Sequence, residues 1–138
     1  AVREIAQFKG PGVECHIDSP GEPLMYARLP ELVEVLKKIA TVKTVSLQTN
    51  GTLFPMHRSR NLRQPGLTGE TFRFMLSIPV LHAGLRDGLD DIDNITGTAN
   101  AVTKSSMDLL IAPVYVPGIN DSEIPEIIRF AQECGAGK

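Results

Sequence analysis

The chain has 138 residues, of which 42% are apolar and 22% are charged, and these proportions exclude a disordered, collagen-like or disulfide-dense protein. Its 14 basic and 16 acidic residues give a formal net charge of -2, so no general electrostatic attraction to nucleic acid or to an anionic membrane is expected. The composition therefore predicts a globular protein with one hydrophobic core.

The cysteines and the chain ends give further expectations. Cys15 and Cys134 lie far apart, outside any CxxC or His/Cys cluster, so they indicate neither a zinc site nor a disulfide framework. Reduced cysteines fit a cytoplasmic protein. The longest apolar stretch, 109–113, is far shorter than the roughly 20 residues that cross a bilayer, so no membrane association is expected. The chain begins with Ala1 and ends at Lys138, just after a predicted helix, so both ends look cut and residues 1–138 are expected to form a single partial domain.

Four segments rich in β-branched and apolar residues are predicted to be strands. They are 13–17, 44–48, 72–78 and 108–116. A stripe of apolar residues predicts a helix over 30–40, with Pro30 in its first turn. A crossover helix is expected between the last two strands, although the glycines at 84, 88 and 97 make a poor continuous helix. This alternation of strands and helices indicates an α/β fold with a parallel sheet.

The last predicted helix follows the fourth strand. Ser122 is expected to cap it and Gly135 to end it, and Asn120 and Asp121 before it are interpreted as turn and capping residues. The apolar face of this helix is predicted to consist of Ile124, Ile127, Ile128 and Ala131.

The segment 54–70 is predicted to be a loop or a broken helix because it mixes basic residues with prolines and glycines. Its basic residues are His57, Arg58, Arg60 and Arg63. A phosphate or an RNA backbone could bind there, but solvated loop charges are the favoured interpretation, and nucleic-acid binding is not expected.

The loops that follow the predicted strands carry a family resemblance. In parallel α/β folds, ligands bind at the carboxyl ends of the strands. There the sequence reads Gly-Glu-Pro at 21–23, Ser-Leu-Gln-Thr-Asn-Gly-Thr at 46–52, Leu-Ser-Ile at 76–78 and Pro-Val-Tyr-Val-Pro-Gly-Ile-Asn-Asp at 113–121. In this order the four pieces resemble the core of the radical S-adenosylmethionine (radical SAM) superfamily, and above all its archaeal members without a settled substrate. The resemblance implies a partial parallel (β/α) barrel.

The resemblance also implies the residues that bind the cofactor. Gly21, Glu22 and Pro23 match the family segment that holds the methionine ammonium of S-adenosylmethionine, and Asn50 and Ser77 match positions that face its ribose or carboxylate. A carboxylate and free carbonyls suit an ammonium, which has three donors and no acceptor. The family normally has glycine where this chain has Pro20, and because proline removes a donor and fixes φ, the cofactor geometry is expected to be altered there.

A second departure concerns the iron–sulfur cluster. The family holds a 4Fe-4S cluster with three cysteines spaced CxxxCxxC, and this sequence has no such motif. In a complete enzyme the resemblance implies that the cluster reduces S-adenosylmethionine to give a 5′-deoxyadenosyl radical. These residues alone are expected not to cleave the cofactor, and we assign them no catalytic residue and no metal ligand.

Several alternatives stay open. The chain could be a non-catalytic α/β binding or interaction module, a degenerate or truncated gene product, which would expose a sheet edge and self-associate through it. An aldolase-like barrel would need a buried lysine, but the candidates lie mostly on polar faces or in loops: Lys9, Lys37, Lys38, Lys43 and Lys104. Cys15 beside His16 suggests a catalytic pair, but neighbouring strand residues point to opposite faces, so Cys15 is interpreted as a core residue. Glu22 could be a solvated loop acid, and Asn50 an ordinary turn residue before glycine.

Overall fold

The structure, a computed structural model, describes residues 1–18, 20–53, 72–78, 92–105 and 107–137. In chain order the elements are α1 (Val2–Lys9), β1 (Val13–Ile17), α2 (Leu29–Lys37), β2 (Val42–Thr49), β3 (Phe72–Ile78), α3 (Ile92–Lys104), β4 (Asp108–Pro113) and α4 (Ile124–Glu133). Short 3₁₀ turns occupy Pro23–Met25 and Asp121–Glu123. The four strands form one parallel sheet in the order β1-β2-β3-β4, which confirms the predicted α/β class.

Two of the four predicted strands have the bounds expected from the sequence, namely β1 and β3. Strand β2 is longer than the predicted 44–48. The prediction that β4 continues to residue 116 is wrong, because the strand ends at Pro113. Beyond it, the Asn120 side chain accepts a hydrogen bond from the Val116 amide at 2.7 Å and donates one to the Val114 carbonyl at 2.6 Å. These backbone groups bond to a side chain rather than to a neighbouring strand, so the chain leaves the sheet.

The helices agree less closely with prediction. Helix α2 has Pro30 in its first turn, as expected, but ends at Lys37. The predicted Ser122 cap is wrong, because Ser122 lies inside a 3₁₀ turn and α4 begins two residues later at Ile124. Gly135, with a φ of 74°, follows the last turn of α4 and ends it as predicted.

The predicted apolar face of α4 is only partly right. Ile127 is 2% exposed, but Ile128 is 54% exposed. Phe130 and the buried Cys134 pack on the core instead, because the helix is rotated toward them relative to the predicted stripe.

Helix α3 is expected from the sequence, whereas helix α1 is not. We did not predict α1, whose Ala6 is buried while Phe8 is 92% exposed. The expected crossover helix between β3 and β4 is confirmed as α3, and it accommodates Gly97. The predicted loop 54–70 and the glycines at 84 and 88 lie outside the described residues. Within the described ranges, no helix combines the length and apolarity needed to cross a membrane.

The two faces of the sheet have opposite character because side chains alternate along each strand. One face packs against the helices, and its most deeply buried side chains are Val45, Leu47, Phe72, Phe74, Leu76, Ile78 and Leu109. The helices contribute Val33, Leu36, Ile95, Ala99 and Val102 to the same core. Burying a side chain of this size stabilises the fold by roughly 1.5–3 kcal/mol, so this layer holds the sheet in place.

The opposite face of the sheet is mostly polar. Its side chains include Glu14, His16, Ser46, Gln48, Arg73, Ser77 and Asp108. At its amino-terminal end, Arg73 Nε donates to Asp108 Oδ2 at 2.6 Å and Arg73 Nη1 donates to Glu14 Oε2 at 3.4 Å. The hydrogen bond to Asp108 raises the pKa of Arg73 above its ordinary value. These partly exposed ion pairs, worth at most about 1 kcal/mol each, connect three strands of the sheet.

Candidate functional site

The Glu22 carboxylate joins the loop after β1 to the end of β2. Glu22 Oε1 accepts hydrogen bonds from the Leu24 amide at 3.0 Å and from Thr49 Oγ1 at 2.5 Å. Glu22 Oε2 accepts one from the Asn50 amide at 3.0 Å. The carboxylate is the N-cap of the 3₁₀ turn that begins at Pro23. A single side chain thus fixes the relative position of two loops at the carboxyl edge of the sheet.

These contacts leave part of the hydrogen-bonding capacity of Glu22 unused. A carboxylate offers about four lone-pair directions, so three hydrogen bonds leave one acceptor position, on Oε2. Gly21 has a φ of 147°, is exposed, and has no atom within 4 Å of the position where a Cβ would lie. The backbone at Gly21 is therefore open to close approach by a bound molecule. Pro23, in contrast, is buried and begins the turn behind the open loop.

Asn50 begins a tight turn at the end of β2. Asn50 Oδ1 accepts hydrogen bonds from the Thr52 amide at 3.1 Å and from Thr52 Oγ1 at 2.9 Å. Thr49 Oγ1, which donates to Glu22, also accepts from the Gly51 amide at 3.0 Å. The backbone amide of Asn50 thus faces Glu22, while its side-chain oxygen stabilises the turn.

Helix α3 holds this turn from the core side. Thr98 is fully buried, and its hydroxyl donates to the Gly51 carbonyl at 2.6 Å. Gly51 has a φ of 80°, and a Cβ there would lie 2.4 Å from Leu76 Cδ1 and 3.2 Å from Thr98 Cγ2. Only glycine fits this conformation and this space. Sequence reasoning missed Thr98, because a threonine within a helix carries no signal of the turn it contacts.

Ser77 belongs to β3, and its side chain lies on the polar face of the sheet, away from the contacts of Glu22 and Thr98. Gln48 Nε2 donates to Ser77 Oγ at 3.1 Å, and both side chains are half-buried. A second polar pair joins His16 Nδ1 to the fully buried Ser46 Oγ at 2.9 Å. The structure therefore joins Glu22 to Asn50 directly, whereas Ser77 is bonded to Gln48. Sequence reasoning missed Gln48, although its alternation with Ser46 along β2 could have indicated their common face.

The side chains of Asn120 and Asp121 hold the loop after β4 through hydrogen bonds, as predicted for turn residues. Asn120 is fully buried and bonds the backbone at 114 and 116. Asp121 accepts hydrogen bonds from the Tyr115 hydroxyl and from the Gly118 amide, both at 2.5 Å. The bond from Tyr115, and then that from Gly118, hold the pKa of Asp121 below its ordinary value, and the same bond raises the pKa of Tyr115.

The described residues do not fit an iron–sulfur cluster. They contain no group of three or more His, Cys, Asp or Glu that could hold a metal ion. Cys15 packs against the core, as predicted, while His16 points to the other face. Cys134 is buried, and burial, followed by the charge of Glu133, raises the pKa of its thiol. The open backbone at Gly21 and the acceptor position on Glu22 do fit the ammonium of an amino-acid ligand.

Comparisons with known proteins identify the family of this chain. The sequence model of the radical SAM superfamily matches residues 1–131. An uncharacterised protein of Methanocaldococcus jannaschii is 36% identical over 137 residues, covering 94% of this chain and 31% of that protein. The GTP 3′,8-cyclase of Acidothermus cellulolyticus is 31% identical over 134 residues, covering 96% of this chain and 37% of the cyclase. The chain thus spans well under half the length of these relatives.

A solved structure shares the fold. The crystal structure of archaeal TYW1 superposes with a TM-score of 0.65 at 19% sequence identity, covering 89% of this chain and 40% of that one. This likeness agrees with a partial parallel (β/α) barrel. The sequence match extends over nearly the whole chain, and the chain belongs to the radical SAM superfamily.

Proposed function

We propose that this chain binds S-adenosylmethionine at the carboxyl ends of β1, β2 and β3, as part of a radical SAM enzyme. The observation that carries the proposal is the pair of hydrogen bonds from Thr49 and Asn50 to Glu22, which holds the open backbone at Gly21 beside the Asn50 turn. Family membership supplies the cofactor class, and the geometry supplies acceptors of the kind that an ammonium requires.

Each part of the cofactor has a proposed partner. The methionine ammonium would be held by backbone carbonyls of the exposed loop at Gly21 and by the remaining acceptor position of Glu22. Asn50 and Ser77 would face the ribose or the carboxylate. Pro23 would support the loop from behind, since it is buried at the start of the 3₁₀ turn. Pro20, which lacks an N–H, would remove one donor from the rim of the site.

These residues are proposed to bind the cofactor and not to hold the iron–sulfur cluster. The sequence has two cysteines, neither of them in a three-cysteine motif, so cluster ligands would have to come from outside the printed residues. A cluster bound beside S-adenosylmethionine supplies the electron for radical formation. The residues described here would bind and orient the cofactor, and their reduced cysteines fit the cytoplasm.

Isothermal titration calorimetry with S-adenosylmethionine tests the proposal directly. We expect saturable binding of one molecule per chain. 5′-Methylthioadenosine, which lacks the amino-acid part, should bind more weakly because it makes no contact with Gly21 or Glu22. Absence of binding at millimolar cofactor, or equal affinity for the two ligands, would contradict the proposed site.

A second experiment separates an enzyme part from a non-catalytic module. The chain is joined to the cysteine-bearing segment of a relative, reconstituted with iron and sulfide under anaerobic conditions, and assayed for 5′-deoxyadenosine. Formation of 5′-deoxyadenosine supports the proposal that the chain is part of a radical SAM enzyme. Cofactor binding without any 5′-deoxyadenosine would favour the binding-module alternative.

A further inference from the structure

A cross-strand hydrogen bond on the polar face has a defined direction. Gln48 Nε2, near the end of β2, donates to Ser77 Oγ, near the end of β3, at 3.1 Å. Gln48 is paired in register with Met75, so Ser77 is its diagonal neighbour on the same face of the sheet. Both side chains are partly exposed, so a ligand at the carboxyl edge can reach them.

The direction of this bond fixes what Ser77 can offer a ligand. A serine hydroxyl has one donor hydrogen and two acceptor lone pairs. Because the amide of Gln48 already donates to the oxygen, the hydroxyl hydrogen of Ser77 must point away from Gln48. We infer that Gln48 is a positioning residue, which presents Ser77 as a hydrogen-bond donor to an oxygen acceptor on the bound cofactor. This inference rests on the proposed binding of S-adenosylmethionine.

The acceptor is either the cofactor's carboxylate or a ribose hydroxyl, since both accept a hydrogen bond from an O–H group. A donor suits the carboxylate best, because an ionised carboxylate accepts hydrogen bonds and donates none. Decarboxylated S-adenosylmethionine, which keeps the sulfonium, the ammonium and the ribose, distinguishes the two. If the carboxylate is the acceptor, substitutions at Gln48 should affect binding of the intact cofactor only; if the ribose is the acceptor, they should affect both ligands equally.

The test is a double-mutant cycle measured by calorimetry on the 138-residue chain. Gln48→Met removes the amide at nearly constant volume and should weaken S-adenosylmethionine binding about fivefold, the equivalent of one neutral hydrogen bond. Ser77→Ala should weaken it by a similar factor. Once Ser77 is alanine, adding Gln48→Met should change the affinity less than twofold, because Gln48 acts through Ser77.

Gln48→Glu tests the direction of the bond. A carboxylate only accepts, so Ser77 would donate its hydrogen to the new side chain and turn its lone pairs toward the cofactor. We expect Gln48→Glu to bind the intact cofactor more weakly than Gln48→Met does. The part of this loss that persists in a Ser77→Ala background measures charge repulsion, because no hydroxyl is left there to be reversed. Gln132→Met on the exposed surface of α4 is the matched control and should bind like the wild type.

Folding is checked without ligand by the thermal melt of each variant. In the wild type, the side-chain amide protons of Gln48 should also give a distinct NMR signal that moves in Ser77→Ala. Wild-type affinity in Gln48→Met, or an equal loss with and without Ser77, would overturn the inference while leaving cofactor binding intact. If the wild type binds no S-adenosylmethionine, the proposed function itself fails and the inference falls with it.

Discussion

Replacing Glu22 with alanine should destabilise the fold even without a ligand, because its carboxylate accepts three hydrogen bonds. The bond from Leu24 lies within the loop after β1, and the bonds from Thr49 and Asn50 join that loop to the end of β2. A hydrogen bond to a charged group contributes about 1.5–3 kcal/mol when buried. Glu22 is half-buried, so water can replace part of each bond, and about 1 kcal/mol per bond is the better figure. The expected loss is about 3 kcal/mol, out of the roughly 5–15 kcal/mol that stabilise a typical domain.

The assay is urea denaturation followed by circular dichroism, with a thermal melt in parallel. A loss of about 3 kcal/mol corresponds to a decrease of roughly 10 °C in Tm for a chain of this size. Glu22→Gln keeps one oxygen acceptor but places an NH₂ group against a donor, so it should cost about 1–2 kcal/mol, between the wild type and alanine.

The control for this prediction is Glu34→Gln, on the exposed surface of α2. It removes the same charge without removing the loop contact, and should change the free energy of unfolding by no more than about 0.5 kcal/mol. If Glu22→Ala also stays within that range, the bonds from Thr49 and Asn50 do not hold the loop after β1 against the end of β2, and the structural basis of the proposed site is refuted.

The remaining predictions concern the turns around the site. Gly51→Ala should lower the free energy of unfolding, measured by urea denaturation, by about 2–4 kcal/mol, because it combines a positive φ with a Cβ only 2.4 Å from Leu76 Cδ1. A loss below about 1 kcal/mol would contradict the close packing of Leu76 and Thr98 on this turn. Gly97→Ala in α3 should stabilise the protein by about 0.5–1 kcal/mol, since a Cβ there meets no atom within 4 Å. The hydrogen bonds from Tyr115 and Gly118 lower the pKa of Asp121 in the folded protein. The ionised Asp121 therefore stabilises the fold above pH 3.8, its ordinary pKa, and this stabilisation is lost as the pH falls through the lower pKa of the folded protein. An NMR titration of the Tyr115 ring should show a pKa above 10.0 that returns toward this value in Asp121→Asn; no difference between the two proteins would mean that this bond is absent in solution.

Much of the fold follows from local sequence. Their richness in apolar and β-branched residues predicted β1 and β3 with their observed bounds, and the α/β order followed from the succession of elements. The error at the end of β4 occurred where a side chain takes over backbone hydrogen bonds. Asn120 bonds the backbone beyond β4 and so ends a strand that its residues alone would continue.

The sequence by itself determined the family and the loops at which to look, because the motifs at 21–23, 46–52 and 113–121 are contiguous in the chain. Only the tertiary structure decided which side chains of these loops contact one another. The contacts of Glu22 with Asn50, of Thr98 with Gly51 and of Gln48 with Ser77 join residues 28 to 47 positions apart. Such pairs depend on the register of parallel strands and on the rotation of a crossover helix, and both are fixed by burial of the common apolar face rather than by any local signal.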